Sequence, residues 1–190
     1  TMDVVRYDRA GDLLLQEAVR ALKLDRAISF IRNNVDHYTG ATFGCHENHS
    51  LDRKAPLHER NVLALLAFLT LRVLFTGAGR VGSIRPVRFR GEVVPREAAA
   101  LFQISQRADY IQNDFFEWVQ HNRAIINTRD EPLADPRQYR RLHLIHGDSN
   151  VLPATIFLKI GTTRIVLDML DEDELPQIVL QDAVTTLRLL

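Results

Sequence analysis

Residues 140–148 read RRLHLIHGD, and this run decides the fold class. Successive side chains of an extended chain point to opposite faces, so Arg141, His143 and Ile145 share one side while Leu142, Leu144 and His146 share the other. Leu142 and Leu144 on one face and Arg141 and His143 on the other describe a sheet that packs one side on helices and leaves the other side open. The run predicts a strand over 140–146, ended by the turn-forming Gly147 and Asp148, with His143 and Arg141 on the open side.

Working outward, TFGCHEN at 42–48 offers a second strand, with His46 and Asn48 on one face and Cys45 and Glu47 on the other. AISFIR at 27–32 suits a further strand, leading into the turn-rich NNVDHYTG. Three stretches carry helical periodicity. They are 3–23, the mostly apolar run after Pro56 that stops near Gly77 and Gly79, and ATIFLKIGTTRIVLDMLDED at 154–173. FQISQRADY at 102–110 alternates like a strand, RAIINTRDEP at 123–132 ends in turn chemistry, and the Gly-, Pro- and Arg-bearing segment 79–98 reads as a loop. The expected architecture is α+β: a curved, mainly antiparallel sheet backed by helices.

Lys plus Arg number 24 and Asp plus Glu number 24, without a like-charged block, which argues against nucleic acid and membrane surfaces as partners. A single cysteine, Cys45, forms no internal disulfide, and no apolar run approaches the roughly 20 residues of a spanning helix. Cytoplasmic localisation is the expectation.

His143 on an open strand face suits a metal or a phosphate, or is a hydrogen-bonded structural group. Arg107 and Arg129 each follow a strand-like run, where a guanidinium can grip phosphate oxygens, or can pair with Asp109, Asp130 or Glu131. Cys45 has no demonstrated base and reads as a buried, inert thiol rather than a nucleophile. GAGRVG at 77–82 lacks the strand and helix of a phosphate loop and reads as turn formation.

The phrases GCHEN, GAGRVG, FQISQRADY, IINTRDEP, LADPRQYRRLHLIHGDSN and FLKIGTTRIVLDML resemble, in that order, the signature series of the Pup ligase and Pup deamidase/depupylase family. The resemblance implies a glutamine synthetase-like catalytic core with ATP and Mg²⁺ on the concave face of its sheet. It implies His46 and His143 as metal ligands, with Asn48, Arg107 and Arg129 on nucleotide phosphate. It further implies that residues 1–190 are the central part of that catalytic domain, without its N-terminal strands, its C-terminal domain or the family's aspartate. The partners implied are Pup, or a Pup-like modifier, and pupylated proteins. FQISQRADYI, GRVG and GTTRIVLD resemble the depupylase branch, whereas GCHEN and GDSN resemble the ligase branch. Three functions follow as expectations: a Pup deamidase/depupylase-like hydrolase first, a Pup-protein ligase as the alternative, and a non-catalytic binding module as the third.

Overall fold

A computed structural model describes residues 1–36, 41–81, 102–118 and 122–190, together with the backbone of 87–89 and 92–94. Helix α1 spans Met2–Ala21 and buries only Val5 of its apolar side chains. Helix α2, Glu59–Leu71, is apolar around most of its circumference and is accordingly a core helix, with Leu65, Leu66 and Leu69 buried. His58 caps it, Nδ1 accepting from the Asn61 amide at 3.4 Å. After Arg72 the chain turns once more as α3, Val73–Thr76. Gly77 then ends the helix where a Cβ would lie 2.2 Å from the Ile104 carbonyl oxygen, a backbone atom that cannot give way. Helix α4, Pro153–Asp171, opens on proline, whose missing N–H costs nothing in a first turn. A short helix α5, Ala183–Leu189, which periodicity did not suggest, starts at Asp182, whose carboxylate accepts from the Thr185 amide at 2.8 Å.

The main sheet contains β1 (Glu47–Asp52), β6 (Asn113–Phe116), β7 (Ala124–Asn127) and β8 (Tyr139–Leu144), in the order β1-β8-β7-β6. β8 runs antiparallel to both β1 and β7, while β6 and β7 are parallel. Two small antiparallel ribbons join β2 (Arg80–Val81) to β5 (Phe102–Gln103) and β3 (Val87–Phe89) to β4 (Glu92–Val94). Leu142, Leu144, Ile125 and Ile126 meet Leu65, Leu66 and Leu69 of α2 in one core that extends to Leu167, Leu170 and Leu187. The expected α+β sheet with helices packed on its apolar face is therefore present. No helix among the described residues is long and apolar enough to cross a membrane.

Several boundaries differ from the alternation pattern, and side chains are the reason. Residues 27–32 form no strand. In 42–48 only Glu47 and Asn48 are strand, because the backbone before them is bonded to side chains: the Phe43 carbonyl accepts from Asn34 Nδ2 at 3.0 Å and from Arg107 Nη1 at 2.6 Å. β8 stops at Leu144 for the same reason, the Ile145 carbonyl accepting from Arg107 Nη2 at 3.0 Å. In 102–110 only two residues are strand, and a 3₁₀ turn covers Ala108–Tyr110. Between them the Asp148 carboxylate takes up the Gln106 and Arg107 amides and the Ser105 hydroxyl at 3.0–3.1 Å. The segment 79–98 holds β2, β3 and β4, and its other residues from 82 onward lie outside the described set.

Beneath the sheet Glu47 meets Arg72 in a two-pronged ion pair, Nη1 to Oε2 at 2.9 Å and Nη2 to Oε1 at 2.7 Å. Burial alone would push the Glu47 carboxyl up, but the Arg72 guanidinium outweighs it and holds the group well below the usual carboxylate range. Arg72 also donates to Thr163 Oγ1 of α4 at 2.7 Å, so one guanidinium ties a helix end, a strand and a second helix. Breaking one side of such a pair leaves an uncompensated buried charge. Arg72→Met is expected to cost about 3–5 kcal/mol of folding stability, with part of the loss recovered in the double variant Glu47→Gln/Arg72→Met. Denaturant unfolding of the two single variants and the double variant checks this, and simple additivity would argue against a coupled pair.

Candidate functional site

With Glu47 drawn to the helix side, its neighbours are turned to the opposite face. Asn48 sits opposite His143 in the β1–β8 register, and Arg141 Nε donates to Asn48 Oδ1 at 2.6 Å. His46 precedes β1 by one residue, and its Nδ1 lies 2.8 Å from His143 Nε2. The structure thus brings His46, Asn48, Arg141 and His143 together on one face, as alternation predicted. Gly44 makes the room: a Cβ there would fall 2.5 Å from His46 Nε2. Behind His143, Asn127 of β7 faces Nδ1 with its Oδ1 at 3.3 Å. Further along this face a cavity of about 480 Å³ is lined by Asn48, Ser50, Glu131, Leu133 and Arg141. Its size is that of ordinary small-ligand sites.

The electrostatics keep both imidazoles neutral. Burial, then Arg141, then His46 push His143 down to about 4. Burial, Arg107 and Arg141 lower His46 in the same direction. Cationic guanidiniums beside neutral imidazoles make a face that favours anions and leaves nitrogen lone pairs for hydrogen bonds or a metal. Both ring nitrogens of His143 already have partners. No group of three or more His, Cys, Asp or Glu side chains able to hold a metal occurs among the described residues. Mg²⁺ prefers an octahedron of oxygens, so these residues do not by themselves make a Mg²⁺ site.

The arginines expected on phosphate have different placements. Arg107 is 2% exposed, and its guanidinium is spent on Thr42 Oγ1, the Phe43 carbonyl and the Ile145 carbonyl. In that placement Arg107 supports the loop that carries His46. Arg129 is exposed, and its Nε pairs with Glu131 Oε1 at 2.7 Å, one of the alternatives its sequence context offered. Cys45 is half-buried, with Sγ 3.6 Å from Lys159 Nζ, which also donates to the Asp148 carbonyl at 2.7 Å. Gly77 and Gly79 of GAGRVG serve the turn between α3 and β2, Gly79 with φ of 73°. Asn127, Arg72 and Asp148 were missed by sequence reasoning. A lone arginine closing an apolar helix and an acid after Gly147 were the available signals, both pointing to buried polar anchors.

A helix-backed sheet carries histidine, asparagine and arginine side chains on its open face. The family model for Pup-ligase protein matches residues 1–190, and the chain belongs to that family. It is 41% identical to the depupylase of Acidothermus cellulolyticus over 178 residues, covering 92% of this chain and 33% of that protein. It is 40% identical to the Pup-protein ligase of Kocuria rhizophila over 194 residues, covering 98% of this chain and 41% of that one. Among solved structures it resembles the Pup ligase PafA in complex with ADP at 36% identity and a TM-score of 0.73, over 97% of this chain and 40% of PafA. The chain therefore spans about a third to two fifths of the length of these relatives.

Two outcomes follow from the geometry. His143 at about 4 and the fully buried His146 at about 3 lie below the ordinary histidine value of 6.5. Between those values the unfolded chain binds protons that the folded chain refuses, so stability falls as pH drops from 6.5 towards 4. The melting temperature should fall through that window, and His143→Gln should flatten part of the slope. Separately, Gly44→Ala should displace the His46 ring and lower turnover of the full-length protein at least tenfold, of the order seen when a ligand's surroundings are altered. Its melting temperature should move little, because Gly44 is exposed.

Proposed function

We propose that these residues form the nucleotide-facing part of a Pup deamidase/depupylase-like hydrolase, which cleaves the amide or isopeptide bond at the C-terminal residue of Pup with ATP and Mg²⁺ bound. The observation that carries this reading is the open face of β1 and β8, where neutral His46 and His143 stand beside Asn48 and Arg141, the latter two lining a ligand-sized cavity further along the face. Membership of a family whose relatives process Pup gives that face its substrate class. The resemblance of FQISQRADYI, GRVG and GTTRIVLD to depupylases favours the hydrolase. Asn48 and Arg129 are assigned to phosphate oxygens, with Arg141 held beside Asn48, since a positioned cation opposes the negative charge there at little reorganisation cost. Arg107 holds the His46 loop in place. His46 stands on the same face, with His143 bonded behind it. Pupylated proteins in the cytoplasm are the proposed substrates.

Ligation is the second reading, favoured by GCHEN and GDSN and by the 40% identity to a Pup-protein ligase. In that chemistry the γ-phosphoryl group of ATP passes to the C-terminal glutamate carboxylate of Pup, and a substrate lysine attacks the acyl phosphate, expelling phosphate. The same cationic face serves either reaction, because both require the Pup carboxyl group and the nucleotide to be held together.

The full-length protein, supplied with ATP and Mg²⁺, is expected to release Pup from a pupylated protein and to form no conjugate from free Pup and an acceptor protein. Gel electrophoresis of both reactions reads the result. Conjugate formation without release assigns the ligase instead, and neither reaction assigns the non-catalytic binding module.

A further inference from the structure

Asn127 stands at the back of the two-histidine contact and has no part in the roles given above. Its amide is oriented by its neighbours: Nδ2 donates to the Phe116 carbonyl at 3.0 Å and to the Glu117 carbonyl at 2.8 Å. Oδ1 is thereby the atom turned towards His143, and it also accepts from the Arg129 amide at 3.1 Å. An oxygen with no hydrogen requires a donor opposite it, so His143 Nδ1, at 3.3 Å, carries the proton. A neutral imidazole has one N–H, which makes His143 Nε2 an acceptor. His46 Nδ1, 2.8 Å away, must then be the donor, and His46 Nε2 is left as a bare lone pair. Asn127 is 3% exposed, and its position in the ladder, opposite His143 in the β7–β8 register, leaves the arrangement little freedom.

We infer that Asn127 is a positioning residue that sets the tautomer of His143 and, through it, that of His46, so that the site is presented with His46 Nε2 as an unprotonated acceptor. The depressed protonation of both rings is consistent with this order. His143 in this scheme stands behind His46 and does not itself face the ligand. The inference rests on the proposed site, but it concerns the protein's own protons and can be read before any ligand is added. Outer groups of this kind fix which ring nitrogen is available to a ligand, and changing them typically costs about 10–100-fold in affinity or activity.

The test is the imidazole nitrogen spectrum of the full-length protein, labelled with nitrogen-15 in histidine and free of metal and nucleotide, with signals assigned by His46→Ala and His143→Ala. Both rings should appear as the Nδ1–H form with unprotonated Nε2. In Asn127→Leu the His143 tautomer should become mixed and His46 should follow, whereas Asn127→Asp, which keeps an oxygen opposite Nδ1, should preserve the Nδ1–H form. Turnover in the release assay should fall at least tenfold in Asn127→Leu and should not fall further when His46→Ala is already present. A wild-type spectrum with Nε2–H at His46 overturns the inference, and this result needs no variant to fold. Equal loss of turnover from Asn127→Leu with and without His46 also overturns it, since that is the mark of a purely structural role. Inactivity of the wild-type protein in both Pup reactions would instead defeat the functional reading, while the spectrum would still decide the tautomers.

Discussion

A carboxylate buried under a sheet needs a counter-charge within reach, and the Glu47–Arg72 pair is the constraint on which the rest of this structure depends. Removing two charges from water is costly, and only close geometry with further hydrogen bonds offsets it. Here Arg72 is held between α2 and α3 and bonded to both oxygens of Glu47 and to Thr163 of α4. Gly147 is part of the same arrangement, because a Cβ at that position would lie 2.9 Å from Glu47 Oε1. The pair therefore fixes which face of β1 is inside. A slip of one residue in β1 would carry Glu47 to the open side and bury Asn48 in its place, so the ion pair sets the register that pairs Asn48 with His143.

A second buried carboxylate organises the ends of the strands. Asp148 gathers the amides of Ala78, Gln106 and Arg107 and the hydroxyl of Ser105. Arg107, anchored in this way, spends its guanidinium on Thr42, Phe43 and Ile145. β8 stops where this side chain takes the next carbonyl, that of Ile145, and the bond to Phe43 holds the segment leading into β1. The histidines lie at those stopping points, His46 just before β1 and His143 just inside the end of β8. His143 is held in the ladder and His46 stands just outside it, so a rigid sheet carries a polar group at the entry of a loop.

Near-equal identity to a depupylase, 41%, and to a Pup-protein ligase, 40%, has a physical reading. Making and hydrolysing an isopeptide bond at one carboxyl group differ in nucleophile and leaving group. They do not differ in the need to hold that carboxyl group against a cationic face. Residues whose work is to shape such a face are expected to be alike in both branches.

The sequence by itself determined the large-scale plan. Alternation in RRLHLIHGD and in CHEN, beside apolar runs long enough for helices, pointed to a sheet open on one side, and it placed His46, Asn48, Arg141 and His143 together on that side. The family was legible because its phrases follow in order. Only the tertiary structure decided where the ladders end, because the competing bonds come from residues remote in sequence: Arg107 reaches 64 positions back to Phe43 and 38 forward to Ile145. It also decided that Arg129 meets Glu131 and that Asn127 turns its oxygen to His143. Periodicity records which face a side chain takes. It carries no information about which distant donor will meet it there, and a hydrogen bond depends on that meeting.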